Sequence, residues 1–161
     1  MYDIDIQEIQ NNKNWSHFLQ EDPFNNNLVE GYLCHTQGDQ YGSLLITKVN
    51  EASTSQLIVC TPKLHYPFDK NGKWTLPKAR SIERYSKLDG TNIFGYVYTD
   101  ALAKSFVSYK VRLNPFIKNS RFGEFLEMWK DILQRYPMLA NVIKASGFNF
   151  SMELWGLKNE H

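Results

Sequence analysis

The chain has 161 residues, of which 42% are apolar and 14% aromatic, and its formal net charge is +1. This length and composition predict one folded globular domain and exclude an intrinsically disordered chain. The near-zero charge excludes a globally basic nucleic-acid binder, so any nucleic-acid contact has to be local. No apolar run approaches the roughly 20 residues of a membrane helix, and the acidic N-terminus lacks a signal-peptide pattern. These features predict a cytoplasmic protein without membrane contact.

The first 80 residues give short and mostly weak structural signals. A helix is predicted around Asn14–Gln20. Two segments rich in Ile, Leu, Val and Thr, Tyr41–Val49 and Gln56–Cys60, predict a hairpin whose turn is Asn50–Ser55. The segment 61–80 contains Pro, Gly and Lys between aromatic residues and predicts a surface loop. Basic residues interleaved with aromatics suit single-stranded RNA, and a packed loop is the alternative.

The second half of the chain alternates strand and helix signals. Ser81–Leu88 and Ile93–Thr99 are predicted strands around Asp89-Gly90-Thr91, because Asp-Gly between strand formers favours a hairpin. Ser105–Leu113 is a third predicted strand. A helix capped by Asn119 or Ser120 follows and ends at Tyr136-Pro137; its apolar residues at helical spacing are Phe122, Phe125, Leu126, Trp129, Ile132 and Leu133. A shorter helix, Met138–Ala145, is stopped by Gly147, and Phe148–Leu154 is the last predicted strand. The predicted fold class is therefore α+β with mainly antiparallel sheets.

The stretch Lys87-Leu88-Asp89-Gly90-Thr91-Asn92 combines a lysine, an acid and a glycine where a strand is predicted to end. A neutral lysine amine is a nucleophile, and a nearby cation or partial burial lowers the pKa of a lysine from its free value near 10.4. On a continuous strand Lys87 and Asp89 share a face, and Gly90 lets the backbone approach a ligand closely. This pattern suits attack by Lys87 on a nucleotide phosphate. The alternative is a solvated lysine before an ordinary Asp-Gly turn.

The same stretch resembles the Lys-x-Asp-Gly nucleotidyl-attachment motif of covalent nucleotidyltransferases, the superfamily of polynucleotide ligases and mRNA capping enzymes. Asn92 agrees with the Lys-x-x-Gly-[Ser/Thr]-Asn form of many RNA ligases. The resemblance implies that Lys87 takes AMP from ATP as a phosphoramidate and releases pyrophosphate. It also implies nucleotide contacts for Asp89, Gly90 and Asn92, with Mg²⁺ as the metal.

Two later segments resemble further motifs of that family, in the family's order. In Ser108-Tyr109-Lys110-Val111-Arg112, the resemblance implies that Arg112 contacts a phosphate or a sugar; the alternative is an exposed basic strand edge, which limits sheet pairing. Phe150-Ser151-Met152-Glu153-Leu154-Trp155-Gly156 resembles the Phe-x-x-Glu-Leu-x-Gly motif. The resemblance implies that Glu153, the glutamate of this motif, contacts the ribose hydroxyls. A carboxylate accepts hydrogen bonds from such a diol. The alternative is a glutamate on the exposed face of an edge strand.

The sequence also departs from the family pattern. Two more family motifs, a Glu-Gly strand that helps to hold the metal and a Lys-x-Lys strand that contacts the α-phosphate, do not fit into the residues after Gly156. We therefore expect residues 1–161 to be one partial ligase-type nucleotidyltransferase domain, inactive or nearly so by itself, with a missing C-terminal half as a candidate partner. Tyr85 stands where many family members carry an adenine-reading carboxylate.

The resemblance thus implies the N-terminal part of an ATP-dependent RNA ligase, which in complete form joins RNA ends. Among enzymes, a DNA ligase or a capping guanylyltransferase is the alternative. A different class also stays open, namely a non-catalytic nucleotide- or RNA-binding module that keeps the fold without the chemistry.

Overall fold

The computed structural model describes residues 6–63, 66–76, 78–121 and 123–156. Its strands form two antiparallel sheets, so the predicted α+β class with mainly antiparallel sheets is confirmed. In chain order the elements are α1 (Ile6–Asn11), β1 (Trp15–Glu21), β2 (Leu28–Cys34), β3 (Leu44–Val49), β4 (Ala52–Ile58), β5 (Thr91–Thr99), β6 (Ser105–Lys110), α2 (Phe125–Arg135), α3 (Leu139–Ser146) and β7 (Phe150–Leu154).

The first sheet is an antiparallel meander in the order β1-β2-β3-β4. The predicted hairpin is confirmed as β3 and β4, but its turn is shorter than predicted. Only Asn50 and Glu51 connect the strands, both with positive φ (51° and 68°). Two consecutive residues with positive φ match the right-handed twist of the flanking strands. The polar start of β4 therefore pairs from Ala52 onward instead of forming a long loop.

The helix predicted at Asn14–Gln20 is wrong, because this segment is strand β1. Trp15 and Phe18 have helical spacing, but they lie on opposite faces of a strand, where each is buried in a different cluster. Phe18 packs between the two sheets, and Trp15 packs on the outer side near Ile6 and Ile9 of α1. Pairing with β2 along all of β1 outweighs the local spacing.

The second sheet has the order β6-β5-β7 and lies between the first sheet and the helices. On one face of β5, Phe94, Tyr96 and Tyr98 join the cluster that contains first-sheet residues. On the other face Ile93 joins the cluster of α2 and α3. The central strand β5 is therefore covered on both sides, which explains its almost continuous burial.

The strand predicted at Ser81–Leu88, and with it the Asp-Gly hairpin, is also wrong. Residues 78–89 form no helix or strand, and they are exposed. Both edges of β5 are already occupied, one by β6 and the other by β7, so β5 has no free edge for a preceding strand. Lys87 consequently precedes β5 in an irregular segment.

The helix pair and the final strand are confirmed, but α2 begins at Phe125, several residues after the predicted caps Asn119 and Ser120, and Phe122 of the predicted stripe lies outside the described residues. Helix α2 ends before Pro137, and α3 ends at Gly147, which adopts the left-handed conformation (φ 70°) that favours glycine. The side chain of Asn119 accepts a hydrogen bond from the Leu126 amide (3.0 Å), so it caps α2 from outside the helix. Throughout the part of the chain that the structure describes, no helix has both the length and the apolarity that crossing a membrane requires.

Candidate functional site

Antiparallel pairing gathers the predicted site residues at one end of the second sheet. In the β5–β7 ladder, Asn92 and Glu153 are direct Cα partners. In the β5–β6 ladder, Phe94 is the partner of Lys110, so the start of β5 lies beside the end of β6, which Arg112 follows. Directly opposed residues of a pair project to the same face, as do residues two apart on one strand. Asn92 and Glu153 therefore face the same side as Phe94, toward the first sheet.

Gly90 packs against the end of β7. A Cβ atom at position 90 would clash with the Leu154 carbonyl oxygen and would lie 2.9 Å from the Cβ of Trp155. Only glycine permits this approach of the two backbones. Residue 90, three positions after Lys87, is thereby held next to the end of the strand that carries Glu153.

The Asn92 amide connects the two motifs. Its Nδ2 group donates to Ser151 Oγ (2.8 Å) and to the Met152 carbonyl oxygen (3.1 Å), both on β7. These two bonds use both hydrogens of the amide group. Asn92 therefore fixes the register between β5 and β7, and this fixes the position of the adjacent Glu153.

Lys87 and Asp89 form an exposed ion pair with a separation of 3.4 Å between Lys87 Nζ and Asp89 Oδ1. Their side chains are 84% and 79% exposed, so solvent screens this pair and its contribution to stability is small. The amine is accessible to a ligand. Arg80 and Arg84, the nearest cationic residues before Lys87 in sequence, are both exposed.

Arg112 is held by the first sheet and is not a solvated edge residue. Its Nη1 donates to the Thr61 carbonyl oxygen (2.6 Å), just beyond β4, and its guanidinium lies 5.2 Å from the ring centre of Tyr41. A guanidinium over an aromatic face gains a cation–π interaction. The half-buried Arg112 thus has a fixed position between the two sheets.

Lys110, beside Arg112, is fully buried and supports this end of the molecule. Its Nζ donates to the carbonyl oxygens of Gly42 (2.9 Å), Val111 (3.0 Å) and Arg112 (2.8 Å). Burial lowers the pKa of Lys110 to about 8, opposed by the nearby Cys60 and assisted by the charge of Arg112. Since Gly42 belongs to the segment before β3, the ammonium group joins the two sheets.

The motif segments carry two carboxylates, those of Asp89 and Glu153. Within the residues that the structure describes, no group of three or more His, Cys, Asp or Glu side chains could hold a metal ion. Magnesium in nucleotide enzymes is commonly held by one or two carboxylates together with substrate phosphates. Asp89 and Glu153 do not form an all-protein cage for a metal ion among the described residues.

Two surface cavities, of about 340 and 350 Å³, lie elsewhere on the molecule. The first is between β6 and the helix pair, and the second is beside the start of β1; neither is lined by a predicted site residue. The motif residues instead lie on an open end of the second sheet.

Sequence reasoning missed three contributors to this end of the sheet. Lys110 alternates with apolar neighbours on β6, a pattern that predicts an outward side chain, but both faces of this sheet are covered. Thr61 acts through its backbone carbonyl, which no sequence pattern reveals, and Tyr41 comes from a separate segment.

The chain was compared with protein families, with curated proteins and with solved structures. No family model, no curated protein and no solved structure matches it.

Proposed function

We propose that this chain is the nucleotide-binding part of an ATP-dependent RNA ligase, in which Lys87 becomes linked to AMP. One observation carries the proposal: β5 and β7 pair so that Asn92, at the end of the Lys87 motif, is the direct partner of Glu153. Two motifs that are distant in sequence thus lie side by side, as a nucleotide held by its phosphate and by its ribose would require. This pairing does not follow from the motifs themselves.

In the proposed reaction, the neutral Lys87 amine attacks the α-phosphorus of ATP. A P–N bond forms, the bond between the α-phosphorus and its bridging oxygen breaks, and pyrophosphate leaves with that oxygen. The ammonium group first loses one proton to solvent, which gives the neutral amine, and the nitrogen loses a second proton to solvent as the P–N bond forms. Asp89, 3.4 Å from the Lys87 amine, is the group that orients it. Bound Mg²⁺ would supply charge neutralisation at the phosphates.

Glu153 and Arg112 have separate roles in this proposal. A half-buried carboxylate held in register by β7 accepts hydrogen bonds from the two ribose hydroxyls. The guanidinium of Arg112, already fixed by Thr61 and Tyr41, contacts a phosphate or the RNA end. In a complete enzyme, AMP on Lys87 would pass to an RNA 5′-phosphate, and a 3′-hydroxyl would then displace it.

The first test measures whether a bound nucleotide places its phosphates beside Lys87. An acyl phosphate of ATP acylates any lysine that lies next to the bound phosphates, and mass spectrometry identifies the modified residue. We expect faster acylation at Lys87 than at Lys118, an exposed lysine after β6 that serves as the internal control. Excess ATP should protect Lys87 and leave Lys118 unaffected. Equal rates at the two lysines, with no protection, would overturn the proposal.

The second test measures affinity by equilibrium dialysis with ATP and with GTP. Glu153→Ala removes two hydrogen bonds to a charged acceptor, each worth about 1.5–3 kcal/mol, so ATP affinity should fall by at least about 100-fold. Glu127→Ala, which changes an exposed glutamate of α2, is the matched control and should leave affinity unchanged. Stronger binding of GTP than of ATP would favour the capping-enzyme alternative.

A second candidate function is a nucleotide-binding module without the covalent step. The exposure of Lys87 favours it, because an enclosed site is the usual environment of an activated lysine. Incubation with α-labelled ATP and Mg²⁺ separates the two functions. Because residues 1–161 alone are expected to be inactive or nearly so, the incubation is repeated with a complementing C-terminal half. Label on Lys87 that Lys87→Ala abolishes supports the ligase, whereas ATP binding that Lys87→Ala leaves unchanged, with no label even in the complemented reaction, supports the module.

A further inference from the structure

Residues 66–75 form a small hairpin outside the two sheets, which we call the aromatic hairpin. Phe68 and Trp74 pair as an isolated antiparallel bridge. Backbone hydrogen bonds close the hairpin from Asp69 to Lys73 (2.9 Å) and from Thr75 to Pro67 (2.8 Å). The segment predicted as a surface loop thus contains ordered local structure.

The turn of the aromatic hairpin is fixed by Asp69. Its Oδ1 accepts hydrogen bonds from the backbone amides of Asn71 (2.8 Å) and Lys73 (2.9 Å). Gly72 supplies the positive φ (77°) that the turn needs. Because the acid is committed to the turn, it holds the two strands of the hairpin in place, and a ligand would meet a pre-formed surface.

Three large aromatic side chains of the aromatic hairpin are exposed to solvent. Tyr66 is 78%, Phe68 48% and Trp74 68% exposed, and none of them joins the hydrophobic clusters found among the described residues. They contact one another instead: Tyr66 stacks near Phe68 with 6.3 Å between ring centres, and Phe68 meets Trp74 edge-on at 6.1 Å. An exposed aromatic cluster of this kind marks an interaction surface.

The aromatic hairpin and the residues that flank it in sequence are strongly basic. The stretch 63–80 carries five cationic residues and one acid, Asp69, while the whole chain has a net charge of only +1. The cationic side chains are exposed, and they are Lys63, Lys70, Lys73, Lys78 and Arg80. Their positive charge complements a polyanion, not an acidic point ligand.

We propose that the aromatic hairpin binds single-stranded RNA. Stacking on aromatic rings suits any unpaired base, and the lysines of the hairpin and of its flanking sequence suit the phosphates that connect the bases. A purely apolar protein partner would leave the lysine and arginine side chains without anionic partners, and duplex RNA would offer no free base faces. The choice of RNA over DNA rests on the proposed ligase function. Binding of a single strand through base stacking does not depend on that function.

The test is fluorescence anisotropy with a labelled oligouridylate of about 12 nucleotides, without ATP. We expect Trp74→Ala to weaken binding about 5- to 150-fold, the effect of losing one stacked base. The matched control is Tyr136→Ala, which removes a similarly exposed aromatic side chain (64%) at the end of α2 and should leave RNA binding unchanged. Replacing Lys70 or Lys73 with Gln should lower the slope of log affinity against log salt by about 0.7 for each lost phosphate contact.

Several outcomes would overturn the proposal. Trp74→Ala could bind as tightly as the wild-type protein, or a duplex RNA of equal length could bind as tightly as the single strand. Oligouridylate could also fail to bind at moderate salt, in which case the exposed rings would serve a protein partner. Lys87→Ala should retain RNA binding. Loss of RNA binding in the hairpin variants therefore tests the hairpin, and loss of labelling at Lys87 tests the ligase function.

Discussion

Lys110 is a buried lysine whose amine has three carbonyl acceptors and no carboxylate among its hydrogen-bond partners in the described structure. Three acceptors match the three donors of an ammonium group, but burial disfavours its charge. The pKa of Lys110 falls to about 8 in the folded protein from its ordinary value of 10.5. The unfolded chain therefore binds more protons than the folded protein between these two values, and folding stability should rise with pH in that interval.

We predict a pH-dependent stability that Lys110→Met removes. Between about pH 8 and pH 10, the free energy of unfolding of the wild-type protein should rise by about 1 kcal/mol per pH unit relative to the variant. Below pH 8 the difference between the two proteins should be constant, since Lys110 is then protonated in both states. Urea unfolding at several pH values measures this difference. Parallel pH profiles for the two proteins would contradict the assigned environment of Lys110.

The second residue-scale prediction concerns Gly90. Gly90→Ala places a methyl group against the Leu154 carbonyl and the Trp155 side chain, so β5 and β7 must separate locally. Overpacking of this kind costs about 1–3 kcal/mol. We expect a lower melting temperature together with weaker ATP binding. Leu88→Ala, a change at a 46% exposed neighbour in the same segment, is the control and should alter neither. A stable variant with normal affinity would show that the close approach is unnecessary.

At the scale of elements, helix α2 depends on a cap that lies several residues before it. No side-chain cap comes from Glu124 at its N-terminus, and the oxygen of Asn119 accepts the Leu126 amide instead. Asn119→Ala should therefore destabilise the protein by about 1 kcal/mol, the usual cost of losing a cap. Asn119→Asp keeps an acceptor oxygen and should retain stability. Thermal unfolding followed by circular dichroism compares the three proteins, and equal stability of Asn119→Ala and wild type would exclude this capping role.

The elements also show which parts of the fold the sequence could predict. Helix α2, α3 and the β3–β4 hairpin were predicted because their signals are local: an apolar stripe, a glycine stop and a polar turn. Strand β1 was missed because its two buried aromatics serve opposite faces, and that arrangement exists only once β2 is paired. Local propensity favours a strand at 81–88, but the edges of β5 are occupied by strands from later in the chain.

In the candidate site too, contacts between residues close in sequence could be predicted, and contacts between distant segments could not. Lys87, Asp89 and Gly90 are adjacent in sequence, and their proximity to one another needed no structure. The partnership of Asn92 with Glu153 depends on β7 returning to the free edge of β5 after two helices. The support of Arg112 by Thr61 and Lys110 depends on contact between the two sheets, which a single sequence does not encode visibly.

At the scale of the whole molecule, a buried polar network joins the first sheet to the second. Asp22, at the end of β1, accepts hydrogen bonds from the Tyr98 hydroxyl (2.7 Å) and from Ser108 Oγ (3.0 Å). Asn27 Nδ2 donates to the same Tyr98 oxygen (2.9 Å). Asp22, Asn27 and Ser108 are buried, so every hydrogen bond in this network replaces one that water would have made.

Removing the hydroxyl of Tyr98 tests whether this network holds the sheets together. Tyr98→Phe keeps the stacked ring but leaves Asp22 and Asn27 each without one buried partner, which should cost about 1–3 kcal/mol. Tyr136→Phe, at a 64% exposed position, is the matched control and should change the free energy of unfolding by less than about 0.5 kcal/mol. Urea unfolding gives both free energies.

Hydrogen exchange locates the effect of Tyr98→Phe within the molecule. If the network joins the sheets, Tyr98→Phe should increase amide exchange in β1 and β6 together, because Asp22 bonds to side chains of β5 and β6 at once. Faster amide exchange confined to β5 would mean that the Tyr98 hydroxyl stabilises only β5 and does not join the two sheets. In that case the apolar cluster around Phe94 and Tyr96 would be the main connection between the two layers.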